Sequence, residues 1–264
     1  MTRRQATVWG ARLLTLCVAV GLWVYGNGPG GVSPILLPKL PDVLDEFASL
    51  LTSADNWLDV RTTIYEIVIA GTMAVTAGLG VGFIAARSRF WTAVIEPMLA
   101  WGYLVPLVLF YPVFILWFGV GSWSKIACAG LAAFFPIAYN AVRAFSTVDP
   151  EHIRVGVAFG ASPVQIDWLI KFRAGIPVAA AGLRIGAATT FIMVIVTEML
   201  SAQRGLGYEL ARSSDTFQRS TTFAITLFVM LIVGVFQYLV TRALPKPPAQ
   251  RSRGRATTRV ETSP

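Results

Sequence analysis

Few residues in this 264-residue sequence are of types that perform chemistry. His152 is the only histidine, and the two cysteines, Cys17 and Cys128, are far apart and form no CxxC pair. The sequence therefore predicts neither a metal site nor a disulfide framework. It also lacks a GxxxxGK(S/T) loop for binding nucleotide phosphates. We expect no catalytic residues, no cofactor and no ATP hydrolysis by this chain.

The polar stretch 149–173, DPEHIRVGVAFGASPVQIDWLIKFR, contains the best candidates for contact with a partner protein. Asp149 can cap a helix that has Glu151 in its positively polarised first turn, and Gly160 can end this helix in the left-handed conformation. Ser162-Pro163-Val164-Gln165 has the pattern of a capping box that starts a second helix. The apolar stripe expected on that second helix comprises Val164, Ile166, Trp168 and Ile170. Two short helices that meet at a bend are expected to dock into another protein.

Long apolar segments carry these residues. Hydrophobic residues make up 55% of the chain and charged residues 14%, which is below the ~25% usual for soluble domains. A helix that spans a bilayer needs ~20 mostly apolar residues. Six runs are long enough, at 8–25, 63–86, 95–118, 124–145, 176–200 and 220–241. Basic residues ahead of the first run also suit a signal peptide, but no small-x-small cleavage site follows, which favours a retained span. The sequence predicts an all-α integral membrane protein with six transmembrane helices.

The chain divides into three parts. Residues 1–62 contain the first span, a Gly/Pro-rich linker and an amphipathic segment at 41–51, which is expected to lie on the outer surface of the membrane. Residues 63–242 form the transmembrane core. Residues 243–264 are rich in Pro, Ser and Arg, and this composition predicts a disordered basic tail.

Basic residues are distributed unequally between the two sides of the membrane. With six spans the termini share one side, and 15 of the 22 Lys and Arg residues fall on that side, together with the stretch 149–173. Since cytoplasmic loops carry the excess of Lys and Arg, both termini and this stretch are predicted to be cytoplasmic. The net charge of +8 follows from this bias and does not indicate nucleic-acid binding.

Five residues within the apolar runs are candidates for the translocation path or its gate. Pro106 and Pro112 bend a helix and free backbone carbonyls, which suits either a helix that lines a cavity or a purely structural kink. Arg184 lies ~10 Å into its helix, where a charge faces the protein interior or water unless it snorkels to the surface. Glu198 and Met199 lie at the far end of the same helix, as part of a gate or merely as a helix end.

The run 63–86 is rich in glycine. Gly78 and Gly82 form a small-xxx-small pair, which is more typical of tight helix packing than of a substrate path. Glu66, near the outer end of this run, is expected at the level of the lipid headgroups.

A series of motifs occurs in a fixed order between Pro106 and Tyr208. In order they are Pro106 and Pro112; Trp117-Phe118-Gly119-Val120-Gly121 with Ser124-Lys125; Phe134-Phe135-Pro136 with Asn140; Gly160-Ala161-Ser162; Pro177; Gly182-Leu183-Arg184; Glu198-Met199-Leu200; and Gly205-Leu206-Gly207-Tyr208. Each motif alone is weak, but the ordered set is specific. It resembles the inner-membrane permease subunit of bacterial ABC importers, in the nitrate, sulfonate and taurine branch.

The resemblance implies a type I ABC importer permease fold with cytoplasmic coupling helices, in a bacterial inner membrane. The partners that it implies are a second permease, as a homodimer or another pair, two cytoplasmic ATP-binding subunits and an extracytoplasmic substrate-binding protein. The implied ATPase-coupling residues are Glu151, Arg154, Gly160, Ala161, Ser162, Gln165 and Asp167. The implied function is the ATP-driven import of a small solute, an organic anion such as a sulfonate, taurine or nitrate.

One departure from the family pattern falls within the stretch 149–173. Where the family has Glu-Ala-Ala, this chain has Arg154-Val155-Gly156, so a contact of that Glu with the ATPase cannot be carried over. Glu151, one helical turn earlier, is a candidate replacement. The alternative function is an ion-coupled secondary transporter, which needs ionisable or unwound sites near the membrane midplane and commonly has repeated halves. The sequence shows no repeat, and only Arg184 lies well inside a span.

Overall fold

The computed structural model describes residues 3–27 and 36–245, and within these ranges the chain consists of helices and short connections, with no strand. The helices are α1 (Arg3–Gly26), α2 (Leu40–Thr52), α3 (Ala54–Ala85), α4 (Arg89–Leu104), α5 (Tyr111–Phe118), α6 (Ser122–Ser146), α7 (Pro150–Ala158), α8 (Pro163–Ser201), α9 (Leu206–Asp215) and α10 (Arg219–Ala243). The all-α prediction is confirmed. Residues 28–35, which fall in the predicted Gly/Pro-rich linker, and the tail beyond residue 245 lie outside the described residues.

Four of these helices, α3, α6, α8 and α10, are long and apolar enough to cross a membrane. Helices α4 and α5 pass the same test as a pair, so the described residues contain up to five such segments. Helix α1 contains the first predicted run, 8–25, and is 24 residues long. These lengths agree with an integral membrane protein, and the count of six spans stays a prediction.

The predicted third span, 95–118, is not one continuous helix. Helix α4 ends before Pro106, a 3-10 turn covers Leu107–Phe110, and the axis bends by 77° between α4 and the helical stretch that follows. Val105 is extended, with φ −71° and ψ 125°, as expected for a residue before proline. Pro112, by contrast, lies in the first turn of α5, where proline is well tolerated. One proline therefore breaks the run, while the other starts a helix. We call the connection formed by residues 105–110 the elbow.

The centre of the bundle is formed by α3, α6 and α8, which make the most extensive contacts. Gly78 and Gly82 bring α3 close to α6, since a Cβ at these positions would collide with Ile137 and Ala141 respectively. Gly186 of α8 approaches Ile137 in the same way. The glycines of α3 thus serve close helix packing, as the small-xxx-small spacing predicts.

The two ends of the bundle carry different short helices. Helix α7 and the first turns of α8 lie at one end, the α7 end, and α9 lies at the other, the α9 end. Helix α2 packs against α10, where the rings of Phe47 and Phe228 meet edge to face with centroids 6.0 Å apart. The apolar face of the segment predicted at 41–51 is therefore covered in part by the bundle itself.

Candidate functional site

The stretch 149–173, which we call the α7 segment, is held in shape by its own polar groups. The Asp149 carboxylate accepts a hydrogen bond from the Glu151 amide at 2.9 Å. Gly160 follows α7 with φ +75°, in the left-handed region. The Ser162 amide donates to Gln165 Oε1 at 2.8 Å, and the Gln165 amide donates to Ser162 Oγ at 3.3 Å, which completes a capping box. The predicted caps and the predicted bend are confirmed.

Asp167 ties the α7 segment to the rest of the chain. Its carboxylate accepts hydrogen bonds from Arg87 Nε and from Lys171 Nζ, both at 2.8 Å. Desolvation raises the pKa of this carboxyl, but the hydrogen bonds and charges of Lys171 and Arg87 outweigh that effect and hold the pKa below its ordinary value. Asp167 is buried and already paired. It joins the start of α8 to the end of α3 and does not present a free carboxylate to a partner.

An aromatic cluster makes a second connection at this end. The Phe83 ring of α3 lies 5.4 Å from Phe145 of α6, 5.1 Å from Trp168 and 5.5 Å from Phe172, measured between centroids. Phe145 and Phe172 also stack at 5.5 Å. Such ring pairs stabilise a contact beyond the area that they bury. The α7 segment is therefore packed directly onto two central helices.

The outward surface of the α7 segment is apolar. Its exposed apolar side chains are Val155, Val157, Phe159, Val164, Trp168 and Leu169. The single predicted stripe is wrong, because Ile166 is buried and Ile170 half-buried on the inner side. Residues Ile166–Phe172 form a π-helical stretch in α8, and positions two apart in such a helix lie on roughly opposite sides of it, so the two pairs cannot share one face. Gly156 lies against the inner side, where a Cβ would collide with Ile170.

The remaining predicted coupling residues lie at the surface. Glu151, Arg154, Gly160, Ser162 and Gln165 are exposed, and Ala161 is half-buried. Ser162 and Gln165 form hydrogen bonds with each other. Within the described ranges, neither Glu151 nor Arg154 forms an ion pair. Their charges are thus available to a partner protein.

The elbow and the ends of α4 and α5 beside it expose apolar side chains and helix-end backbone. Trp101, Leu104 and Leu109 are 72–74% exposed, and Pro106 and Pro112 are exposed as well. The amide of Val105 donates to the carbonyl of Gly102 at 3.4 Å, but the carbonyls of α4 that come after Gly102 have no following helical turn to bond them. Within the hydrocarbon of a bilayer such groups need protein or water as partners. The elbow is therefore suited to face another protein surface or a water-filled passage rather than lipid.

Arg184 contacts the end of α10. Its Nη2 donates to the carbonyl oxygen of Pro245 at 2.9 Å and to that of Leu244 at 3.4 Å. Gln237 of α10 donates in return to the carbonyl of Arg184 at 3.4 Å. A cation is favourable beside the carbonyl groups at a helix carboxyl terminus. This contact is compatible with both placements that the sequence left open for Arg184, and its role in the translocation path stays a prediction.

Glu198 belongs to a buried hydrogen-bond network, which we call the α9 clamp. It comprises the side chains of Asp59, Thr63 and Glu198 and the backbone amides of Gly205, Leu206 and Gly207. The amide of Gly205 donates to Asp59 Oδ1 at 2.9 Å. The next amide, of Leu206, donates to Thr63 Oγ1 at 3.0 Å, and that of Gly207 donates to Glu198 Oε2 at 2.8 Å.

The Thr63 hydroxyl completes the α9 clamp by donating to Glu198 Oε1 at 2.8 Å. The first amides of a helix lack intrahelical partners and favour negative charge. The clamp supplies such partners from α3 and α8, so three helices are joined at one point.

Two glycines make this approach possible. Gly205 has φ +118°, and a Cβ there would collide with the Glu198 carboxylate. A Cβ at Gly207 would collide with the carbonyl oxygen of Ile195. Met199, the neighbouring gate candidate, is exposed and lies outside the clamp.

Glu66 and Lys125 form a buried ion pair between α3 and α6. Their side chains are 0% and 5% exposed, so Glu66 is buried inside the bundle, and its expected depth at the level of the lipid headgroups stays a prediction. Both charges interact electrostatically with Glu198. Breaking such a pair by removing one partner leaves an uncompensated buried charge.

Sequence reasoning did not select Asp59, Thr63 or Lys125 as site residues. A signal for α3 was nevertheless present, because Asp59, Thr63 and Glu66 follow each other at i, i+4 and i+7 and so share one helical face. A polar face on a helix that enters an apolar bundle indicates partners on neighbouring helices.

A cavity of about 410 Å³ lies between α3, α8 and α10. The hydroxyls on its wall belong to Thr72, Thr76 and Thr190, and each donates to a carbonyl four residues earlier in its own helix, at 2.7–2.9 Å. These hydroxyl protons are therefore already used, and the rest of the wall is mainly aliphatic. The cavity is poorly suited to bind an anion.

Comparison with known proteins settles the family. Residues 78–246 match the family described as the binding-protein-dependent transport system inner membrane component. The chain belongs to this family. It is therefore an ABC importer permease, the inner-membrane component of such a system and not its ATPase, and the predicted family is confirmed.

Named relatives align with the permease over most of its length. It is 27% identical over 237 residues to the taurine transport system permease protein TauC of Escherichia coli (strain K12), which covers 88% of this chain and 86% of TauC. Identity is 26% over 236 residues with the putative aliphatic sulfonates transport permease protein SsuC of Bacillus subtilis (strain 168), with 88% and 83% covered. The riboflavin transport system permease protein RibX of Chloroflexus aurantiacus is 28% identical over 236 residues, with 87% and 88% covered.

Solved structures show the same fold. Two structures of inward-facing conformations of the MetNI methionine ABC transporter match the permease with TM-scores of 0.62 and 0.59, at 18% and 19% identity. Each match covers 71% of this chain and 94% of the other chain. The predicted type I ABC importer permease fold is confirmed.

Proposed function

We propose that the permease forms half of the membrane pathway of an ATP-driven importer for a small organic anion of the sulfonate or taurine class. The names of TauC and SsuC support this class of solute. RibX has a similar identity and is named for riboflavin, so the solute has to be established by experiment.

The proposed coupling role rests on the structure of the α7 segment. It is capped at the start of α7 and at the start of α8, presents exposed apolar side chains, and is fixed to α3 and α6 through Asp167 and the Phe83 cluster. An exposed apolar surface of this kind marks an interaction site. A cytoplasmic ATP-binding subunit that binds this surface would displace the central helices with it, because the ion pair of Asp167 and the ring contacts of Phe83 join the segment to them.

The pathway itself lies between two permeases in this proposal. The cavity within one chain offers an anion no free hydroxyl proton, whereas the elbow has helix-end carbonyls that need protein or water. Pro106 and Pro112 would thus face the passage or the second permease. Arg184 and Glu198 would hold helices in place around the passage, and Met199 beside Glu198 would be exposed to it.

The topology follows from the distribution of Lys and Arg. The α7 end faces the cytoplasm together with both termini, in a bacterial inner membrane, and the α9 end faces outward. A substrate-binding protein delivers the solute at the α9 end, and two ATP-binding subunits bind at the α7 end.

Reconstitution of the permease with its ATP-binding subunits and binding protein in liposomes tests this function. We expect the liposomes to take up radiolabelled taurine or an alkanesulfonate. This uptake should require ATP and should stop when the binding protein is left out. Uptake by the permease alone on a proton or sodium gradient would instead support the ion-coupled secondary transporter.

A further inference from the structure

Helix α9 ends in a Schellman motif in which a phenylalanine, Phe217, occupies the left-handed position that glycine usually takes. The amide of Phe217 donates to the carbonyl of Ser214 at 3.0 Å, and the amide of Gln218 donates to that of Ser213 at 2.9 Å. Phe217 therefore occupies the position just after the cap residue, Thr216, with φ +56°. Glycine is the usual residue there, because a Cβ strains the left-handed conformation. Within the described ranges, Phe217 is the only non-glycine residue with positive φ.

The Phe217 ring gains little from packing inside the chain. The residue is 73% exposed. The ring lies beside Arg219, whose guanidinium carbon is 5.7 Å from the ring centroid. In the part of the chain that the structure describes, no carboxylate lies within 4.0 Å of Arg219. A bulky residue that strains the backbone without compensation in its own fold indicates a role outside that fold.

The surroundings of the ring favour a protein partner over lipid. The guanidinium of Arg219 beside the ring keeps it in an aqueous layer, since a cation of this kind is costly in hydrocarbon. The next residues, Gln218 to Thr222, are polar, and the first apolar side chain of α10 is Phe223. Aromatic residues and Arg are enriched where protein interfaces bind most tightly.

We propose that Phe217 and Arg219 form a docking point for the substrate-binding protein, whose matching surface is an apolar recess bordered by a carboxylate. A carboxylate is expected there because Arg219 forms no ion pair among the described residues of the permease. This inference rests on the proposed function, which places the α9 end outside the cytoplasm.

Phe217→Gly separates docking from folding, because it relieves strain while removing the ring. We expect the melting temperature of the full-length permease to rise by about 2–4 °C, and the affinity of the assembled importer for its own substrate-binding protein to fall at least tenfold. A variant that is more stable yet binds its partner more weakly excludes damage to the fold as the cause. Phe90→Ala is the matched control, since Phe90 is 67% exposed at the opposite end of the bundle, and it should leave the affinity unchanged.

A fluorophore at the same position decides between protein and membrane. Phe217→Cys is labelled in a chain in which Cys17 and Cys128 are replaced by Ser and Ala. We expect quenching by aqueous iodide, and protection from iodide when the binding protein is added. Unchanged affinity in Phe217→Gly would overturn the proposal, and so would stronger quenching by a lipid-borne nitroxide than by iodide. If no binding protein binds the unmodified importer, the proposed function fails and this inference with it.

Discussion

Replacement of Gly160 by leucine tests whether the bend of the α7 segment couples ATP hydrolysis to transport. Gly160 has φ +75°, and a Cβ added there meets nothing within 4 Å. The substitution therefore introduces backbone strain without a steric clash. Strain from a left-handed L residue costs about 1–2 kcal/mol, and the chain can relieve it by changing the angle between α7 and α8.

The structure supplies a control for this strain. Gly119, between α5 and α6, has φ +76° and also has nothing within 4 Å of an added Cβ. Its ψ of 175° lies in a region that is essentially restricted to glycine, so Gly119→Leu should lower the melting temperature at least as much as Gly160→Leu, for which about 2–8 °C is expected when each kcal/mol corresponds to about 2–4 °C. Only Gly160 lies in the proposed docking surface.

The assay measures solute taken up per ATP hydrolysed in liposomes that contain the assembled importer. We expect Gly160→Leu to insert and to retain ATPase activity within about twofold, while uptake per ATP falls at least tenfold, since about 1.4 kcal/mol in the docking equilibrium is a factor of ten. Gly119→Leu should keep the ratio of the unmodified permease. Undiminished uptake by Gly160→Leu, or an equal loss in both variants, would refute the coupling role of the bend.

Three further predictions concern the bundle and can be checked by thermal unfolding of the purified permease. Gly78→Ala should destabilise it by about 1–3 kcal/mol through overpacking, whereas Gly80→Ala, with nothing within 4 Å, should stabilise it by about 0.5–1 kcal/mol; equal effects would contradict the packing argument. Glu66→Gln should cost about 3–5 kcal/mol by leaving Lys125 unpaired, and most of this loss should be recovered in the double variant Glu66→Leu/Lys125→Met. Thr63→Val should cost about 1–3 kcal/mol because two buried groups lose a partner; Thr63→Ser should restore the stability, and a Ser variant as weak as Val would argue against the hydrogen bonds.

Local features of the fold were predictable from the sequence. The caps at Asp149 and Ser162 and the bend at Gly160 each depend on residues within four positions of each other. These local structures can therefore be predicted from residues that are adjacent in the sequence. The break before Pro106 follows from the same kind of rule, because proline cannot donate the next helical hydrogen bond. The sequence did not show that Pro112 starts a helix, since proline is compatible with both a kink and a first turn.

Long-range features of the candidate site were not predictable in the same way. Asp59 and Gly205 are 146 positions apart in the chain, and Thr63 and Glu198 are 135 apart. Their pairing depends on how α3 and α8 pack, which the spacing within either helix does not determine. Arg184 is similar, because the length of α10 decides which carbonyl groups it meets. For Glu66, charge alone suggested the headgroup level, and only the position of Lys125 on α6 shows why it can be buried.

The α9 clamp has a consequence for the solute. A helix amino terminus with free amides is a ready place for a sulfonate or a phosphate to settle. In this permease the first amides of α9 are already occupied by Asp59, Thr63 and Glu198, and the added carboxylates repel an incoming anion. A translocation pathway conducts its solute only if the solute can dissociate from every site at which it binds. Because the permease's own side chains occupy these amides, an anion cannot be held at the α9 end, where the proposed topology has the solute enter.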